Sequence, residues 1–257
     1  MQAEDIAKHS DQPASGHHPR AIIIGATSGI GEHLYREFVR HGYRVGITGR
    51  RQERLTELQR EQPDVTFIQS MDVRKVETAC TELNQLILAM GGADLIVVNA
   101  GIGLRNPDLE WSLQADTIQT NVIGFCALCD AAVKYFRRQG YGHLVGISSV
   151  AGLRGLGKIP VYNATKAFDS IYLEGLRRMH RGRDVDLHVT DIRPGYVRTD
   201  LLNNPDKLPW VSQPDVAARQ IYRAIQARKK VAYITRRWFL IAWLLRHAPD
   251  WLVDRLA

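Results

Sequence analysis

AIIIGATSGIG, residues 21–31, joins an apolar run to a glycine-rich turn. Its opening residues are an apolar, largely β-branched run, the pattern of a buried strand. Glycines at 25, 29 and 31 follow at once, ahead of a stretch with helical period at 30–41. Glycine lets the backbone turn tightly and lets another group approach it closely. The free N–H groups and positive dipole end of the following helix favour an anion such as a pyrophosphate. By position this is a nucleotide site. Three glycines alone also make ordinary turns, and it is the strand-turn-helix setting that adds specificity.

Outward from this segment the same alternation repeats. Apolar runs at 21–25, 43–48, 65–69, 94–99, 143–148, 185–192 and 231–235 read as strands, separated by helical stretches at 30–41, 51–61, 73–90, 116–138, 161–180 and 214–228. Near-continuous apolar strands alternating with helices imply a parallel sheet covered on both faces, because right-handed crossovers place helices on each side. The expected fold is α/β, a Rossmann-type doubly wound parallel sheet of about seven strands. With 257 residues, 45% apolar and 24% charged, the chain can bury one sizeable core, and neither a repeat nor a linker divides it. Residues 1–19 are polar and aperiodic and are expected to be a disordered extension, with His17 and His18 part of a solvated tail rather than a metal site.

No apolar run reaches the length of a membrane span, and the N-terminus lacks a signal-peptide pattern, which points to the cytoplasm. Three cysteines give no disulfide framework and fit a reducing compartment. Cys126 and Cys129 form a C-x-x-C inside a helical run with no second pair to complete a zinc site, so they read as small core residues, with a redox role as the minor alternative. No metal site is expected.

VYNATK, residues 161–166, sets Tyr162 and Lys166 four apart, on one face of a helix. A phenol, with an ordinary pKa of about 10, is a poor proton donor and acceptor at neutral pH, and a neighbouring ammonium brings it toward the working range. An ordinary helix start containing Tyr and Lys is the competing reading, and in isolation the stronger one.

The order of motifs reverses that judgement. G-x-x-x-G-x-G at Gly25, Gly29 and Gly31, Asn99-Ala100-Gly101 after the fourth strand, Asn121, Ser149, Tyr162 and Lys166, and P-G-x-V-x-T at Pro194 to Thr199 follow one another as in the short-chain dehydrogenase/reductase family. The resemblance runs from residue 21 to residue 200. It implies an oxidoreductase that transfers hydride between a nicotinamide and a carbonyl or alcohol. Tyr162 would protonate the carbonyl oxygen, Lys166 would tune Tyr162 and hold the nicotinamide ribose, Ser149 would orient the carbonyl, and Asn121 would support a water leading protons toward Lys166. Ser149 is preferred to Ser148 on the family's spacing to the tyrosine, and because adjacent strand residues face opposite ways. Cofactor binding carries over to Gly25, Thr27, Ser28, Gly29, Ile30, Gly31, Asp72, Val73, Asn99, Ala100, Gly101, Tyr162, Lys166, Pro194, Gly195, Val197 and Thr199, with Thr199 on the carboxamide. Asp72 is equally an ordinary helix N-cap.

The second strand ends Thr48-Gly49-Arg50-Arg51, with no acid to meet a ribose 2′-hydroxyl. An arginine fork suits a 2′-phosphate, so NADP(H) is favoured over NAD(H), with Arg50 and Arg51 as its ligands. The alternative is a solvated helix start. Ile24 replaces a threonine common in the family, at the cost of one local hydrogen bond.

The catalytic domain is expected at 20–235, followed by an apolar, basic helical extension at 236–257 in place of the glycine-rich tail many members use for tetramer contacts. A homodimer through the helices at 116–138 and 161–180 is the family expectation. From 215 to 257, nine Lys/Arg against three Asp give +6 of the chain's +7. That tail either lies on an anionic membrane surface or folds over the substrate cleft or a subunit interface. No nucleic-acid module accompanies the charge, so no nucleic acid is expected. The segment 200–214, DLLNNPDKLPWVSQP, mixes leucines, Trp210 and prolines and is expected to lid the cleft for an apolar ketone or aldehyde. A non-catalytic NADP(H)-binding sensor is the competing class, and the complete set Asn121, Ser149, Tyr162 and Lys166 argues against it.

Overall fold

The computed structural model describes residues 18–155, 157, 159–202 and 204–249. Most of the expected N-terminal extension and residues 250–257 of the tail lie outside the described residues.

Seven strands form one sheet: β1 (Arg20–Ile24), β2 (Arg44–Gly49), β3 (Thr66–Ser70), β4 (Leu95–Val98), β5 (Tyr141–Ile147), β6 (Asp186–Pro194) and β7 (Val231–Ile234). Their order is β3-β2-β1-β4-β5-β6-β7, and every pairing is parallel. The expected Rossmann-type sheet is therefore present. β1 lies inside the sheet between β2 and β4, and its alternation contributes to both cores. Ala21 and Ile23 face one side, packed with Leu34 and Phe38 of helix α1 (Gly29–Arg40) and Ile221 and Ile225 of α7 (Pro214–Gln226). Ile22 and Ile24 face the other, packed with Leu83 of α3 (Val76–Ala89), Leu128 and Phe136 of α5 (Phe125–Gln139) and Leu173 of α6 (Pro160–Met179). All four are 0% exposed, and each fully buried isoleucine contributes about 1.5–3 kcal/mol of hydrophobic stabilisation.

Helix ends follow local chemistry. Pro160 and Pro214 open α6 and α7 at the first helical position, where no N–H is needed. Gly140 closes α5 at φ 88°, the left-handed conformation that glycine adopts without strain. Helix α2 (Gln52–Glu61) connects β2 to β3.

The helix expected at 116–138 is longer and interrupted. It begins as α4 (Trp111–Ile118), widens into a π-helical turn at Gln119–Gly124 and resumes as α5. Two tertiary contacts bear on that turn. Asn121 reaches across to the backbone of Ile102, and Gly124 lies so close to Val73 that an added Cβ would sit 2.5 Å from the Val73 carbonyl oxygen. π-Turns inside α-helices concentrate at functional sites.

After β7 the chain forms α8 (Arg237–His247). Trp238 and Ala242 are buried, whereas Phe239, Leu240 and Trp243 are exposed. Arg154 Nη1 donates to the Ala248 carbonyl at 3.0 Å, tying the end of α8 to the segment after β5. Among the described residues, no helix is long and apolar enough to cross a membrane.

Candidate active site

The strand order reverses direction between β1 and β4, which opens a crevice beyond their C-terminal ends. Register puts Ile24 level with Thr48 on one side and Val98 on the other, so the glycine turn and Asn99 leave the sheet side by side. Asn99 Nδ2 donates to the Gly25 carbonyl at 2.5 Å. Gly31 must be glycine because a Cβ there would stand 2.1 Å from that carbonyl oxygen and 2.7 Å from Asn99 Nδ2. Gly25 is at φ +89° with Ala100 against it, and Gly29 packs on the methyl of Thr199. Ser28 is the N-cap of α1 without a capping side-chain bond, and Ile30 packs into the core beside it. Asn99, Ala100 and Thr199 thus shape the turn from below.

The arginines near the end of β2 divide into three roles. Arg54 is paired with Glu32 at 2.8 Å and with Glu57 at 2.6 Å. Burial opposes the charge on Glu32, yet the guanidinium groups of Arg36 and Arg54 hold its carboxyl below the usual carboxylate range. Arg51 donates to the carbonyl and hydroxyl oxygens of Thr27 at 3.0 and 3.1 Å, joining the start of α2 to the glycine turn. Arg50 is exposed at the tip of β2. Asp72 is not the cap of α3, whose N-cap is Lys75. Its carboxylate instead accepts from the Arg74 backbone and guanidinium, and the Arg74 hydrogen bond, with Arg50 nearby, keeps it below its ordinary range.

The four residues matched to the tetrad sit on the C-terminal side of β4, β5 and β6. Gly101 marks one corner: a Cβ placed there would lie 3.4 Å from both Asn121 Oδ1 and Lys166 Nζ. Asn121 is 0% exposed, and its carboxamide accepts from Ile102 N at 2.9 Å and donates to Ile102 O at 2.8 Å. Its side chain therefore clamps the 101–103 segment. Tyr162 is half-buried, with its ring edge 3.1 Å from a Cβ built on Gly103.

Structure separates the two serines. Ser148 faces inward, donating to Asp191 Oδ1 and Ile192 O beneath the sheet end. Ser149 stands at the start of a 3₁₀ turn (Val150–Leu153), donating to Pro194 O at 3.3 Å and accepting from Ala151 N at 3.1 Å. That turn is docked on α6: Asn163 Nδ2 donates to Ala151 O at 2.7 Å, and Gly152 lies directly on the Lys166 backbone. Ser149 and Tyr162 are thereby fixed relative to each other.

Lys166 is buried and donates to Ile147 O at 3.0 Å and to Asp169 Oδ2 at 2.9 Å. Burial works against its charge, but the carboxylate of Asp169 and the neighbouring Tyr162 outweigh it and raise the ammonium above the usual lysine range. Burial pushes Asp169 up to about 6, against the pull of Lys166. Cys129 is 0% exposed in the core, where burial and Asp169 raise its thiol well above the ordinary range.

The segment Pro194–Thr199 closes the far side. Val197 bridges to Ser212, which holds Ser212 beside this segment. Gly195 lies so close to Trp238 that a Cβ would be 2.0 Å from the indole. Trp238 meets Tyr196 edge-on at 5.1 Å and Trp210 at 6.4 Å. Sequence reading missed Asp169, Gly103 and Trp238. Asp169 carried a signal, since it stands one helical turn beyond Lys166 on the same face. The tail carrying Trp238 was expected over the cleft or on a membrane, but nothing local pairs Trp238 with Gly195 at the end of β6.

The short chain dehydrogenase family matches residues 19–208. The chain is 38% identical over 211 residues to an uncharacterized oxidoreductase of Myxococcus xanthus, covering 80% of this chain and 83% of that protein. It is 36% identical over 179 residues to the NADP-dependent 3-hydroxy acid dehydrogenase YdfG of Escherichia coli strain K12, covering 68% and 71%. Among solved structures it resembles serine dehydrogenase from Escherichia coli, with a TM-score of 0.73 and 29% identity over 83% of this chain and 95% of that one. On its matched residues, its parallel sheet and these relatives, the chain belongs to the short-chain dehydrogenase/reductase family of oxidoreductases.

Proposed function

We propose that this protein is an NADP(H)-dependent carbonyl reductase or alcohol dehydrogenase in which Tyr162, Lys166, Ser149 and Asn121 carry the reaction. The observation that carries this reading is the fixed placement of Ser149 and Tyr162 through the Asn163–Ala151 bond, with Lys166 buried one turn along α6. When bound, the dinucleotide supplies or accepts hydride at its nicotinamide ring. Tyr162 gives its phenolic proton to the carbonyl oxygen, and the adjacent ammonium of Lys166 stabilises the phenolate left behind. Ser149 donates a hydrogen bond to the same oxygen by releasing its long contact with Pro194. Asn121 holds the 101–103 segment that forms the floor beside Lys166.

The turn Gly25–Gly31, with no capping side chain at the start of α1, suits a pyrophosphate. Arg50 is exposed where a 2′-phosphate would sit and Arg51 borders it, which supports NADP(H), as does the NADP dependence of the Escherichia coli relative. Leu104, Leu201 and Trp210, all exposed near this crevice, support an apolar ketone or aldehyde as substrate. The 3-hydroxy acid specificity of that relative places hydroxy acids in the test panel. Residues 20–235 and α8 form one catalytic unit in this reading, with α8 covering the nicotinamide end through Trp238. Exposed Ile123 in the π-helical turn, with Ile171 and Met179 on α6, support a homodimer through the 111–139 helix and α6, and Ile171→Glu is expected to yield a monomer by light scattering.

The test is NADPH and NADH oxidation across aliphatic, aromatic and sugar carbonyls, with the reverse reaction on 3-hydroxy acids, beside Tyr162→Phe. Turnover that requires Tyr162 supports the assignment. Tight cofactor binding without turnover on any class overturns it in favour of a sensor.

A further inference from the structure

We propose that Asp169 is a positioning residue of this active site, the buried counter-charge that holds the Lys166 ammonium in place and keeps it cationic. The inference rests on the role given to Lys166 above. Asp169 is 0% exposed, one turn further along α6, with Oδ2 2.9 Å from Nζ. Its other oxygen, Oδ1, is buried and has no hydrogen-bond partner among the described residues. A carboxylate withdrawn from water with one oxygen unsatisfied is costly, and an apolar residue of similar size would pack there more favourably. Packing therefore gives no reason for an acid at this position, whereas the ammonium beside it does.

The geometry of Lys166 supplies the rest. A lysine ammonium has three donors. Asp169 and the Ile147 carbonyl of β5 take two, leaving the third for the side where Gly101 and Tyr162 lie. The two protein contacts act as a bipod that sets the direction of this free donor. Other charged or titratable groups face the pair from each packed element. Tyr162 lies on α6 itself, Cys129 on α5, and Asp191 on β6. Asp191 is already engaged by Arg193 Nε at 2.7 Å and by the Ser148 hydroxyl, so it does not replace Asp169 as the contact partner of Lys166. The carboxyl of Asp169, pushed up to about 6 by burial, remains ionised at neutral and alkaline pH.

Asp169→Asn keeps the shape and removes the charge. The experiment titrates Lys166 directly by carbon-13 NMR of lysine Cε in the full chain, with its signal assigned through Lys166→Arg, and measures kcat/KM against pH on any active substrate. Lys166 is expected to lose its proton about 1–3 pH units lower in Asp169→Asn. The alkaline limb of kcat/KM moves down with it, and Asp169→Glu restores both. Superimposable lysine titrations and pH profiles for Asp169→Asn and wild type overturn the proposal. Should no substrate turn over, the oxidoreductase reading fails while the NMR titration still decides the role of Asp169. If Asp169→Asn does not fold, the wild-type chain decides the matter: Lys166 titrating above free lysine supports the counter-charge, and titrating below it refutes it.

Discussion

Gly31→Ala tests the glycine turn where its packing is tightest. The new methyl would lie 2.1 Å from the Gly25 carbonyl oxygen, whereas carbon–oxygen contacts run at about 3.3 Å or more. The turn must yield by more than an ångström, and the methyl also enters the space of Asn99 Nδ2, the donor to that same carbonyl. Overpacking of this kind costs about 1–3 kcal/mol, and loss of the Asn99 bond adds about 1 kcal/mol. The total, about 2–4 kcal/mol, must appear as lost unfolding free energy, lost cofactor affinity, or both. If the turn moves and the fold survives, affinity falls about 30- to 1,000-fold. Urea unfolding and NADPH fluorescence titration on the same preparation measure the two parts. Gly42→Ala is the control: Gly42 is at φ +77° with nothing within 4 Å of a Cβ. It should lose about 1 kcal/mol of stability from left-handed strain and nothing in binding. A summed loss under about 0.5 kcal/mol for Gly31→Ala, the range of an ordinary surface change, would refute the reasoning.

Three further outcomes are expected. Arg50→Ala combined with Arg51→Ala should narrow the ratio of NADH to NADPH dissociation constants by about 10-fold or more, since charge-assisted bonds to a phosphate are worth about 1.5–3 kcal/mol. Trp238→Ala, by emptying the site against Gly195, should cost about 3 kcal/mol in urea unfolding and expose the 236–249 segment to limited proteolysis. His143 is pushed down to about 3, first by burial and then by His188 and Arg228. Its neutral form is the one that folds, so its contribution is complete above the unfolded value of about 6.5 and is lost as pH falls toward about 3. Between pH of about 6.5 and 4.5 this amounts to about 2–3 kcal/mol, and His143→Gln should remove that part of the slope of stability against pH in denaturant titrations.

Much of the fold was legible because its signals are local. Branched apolar runs place all seven strands to within a few residues, and 21–24, apolar at every position, already imply a strand covered on both faces. The glycine turn and the Tyr162–Lys166 spacing are equally local, being written within one turn or one helix. Legibility ends where two segments meet. The helix expected to run unbroken to 138 is widened at Asn121 by a partner 19 residues earlier. Ser148 and Ser149 are neighbours in sequence, and only the 43-residue separation bridged to Asp191 gives the first of them a structural partner. Three arginines close together in sequence differ in use because Glu32 and Thr27, on another element, claim two of them.

The sheet, the two-sided core and the glycine turn are written in the sequence, because periodicity and glycine chemistry act over a few residues and need no partner. Folding in three dimensions sets Trp238 against Gly195, ties the Ser149 turn to α6, and pairs Lys166 with Asp169. Those depend on strand register and on burial, which withdraws water from a charge and so makes the identity of its nearest neighbour decisive.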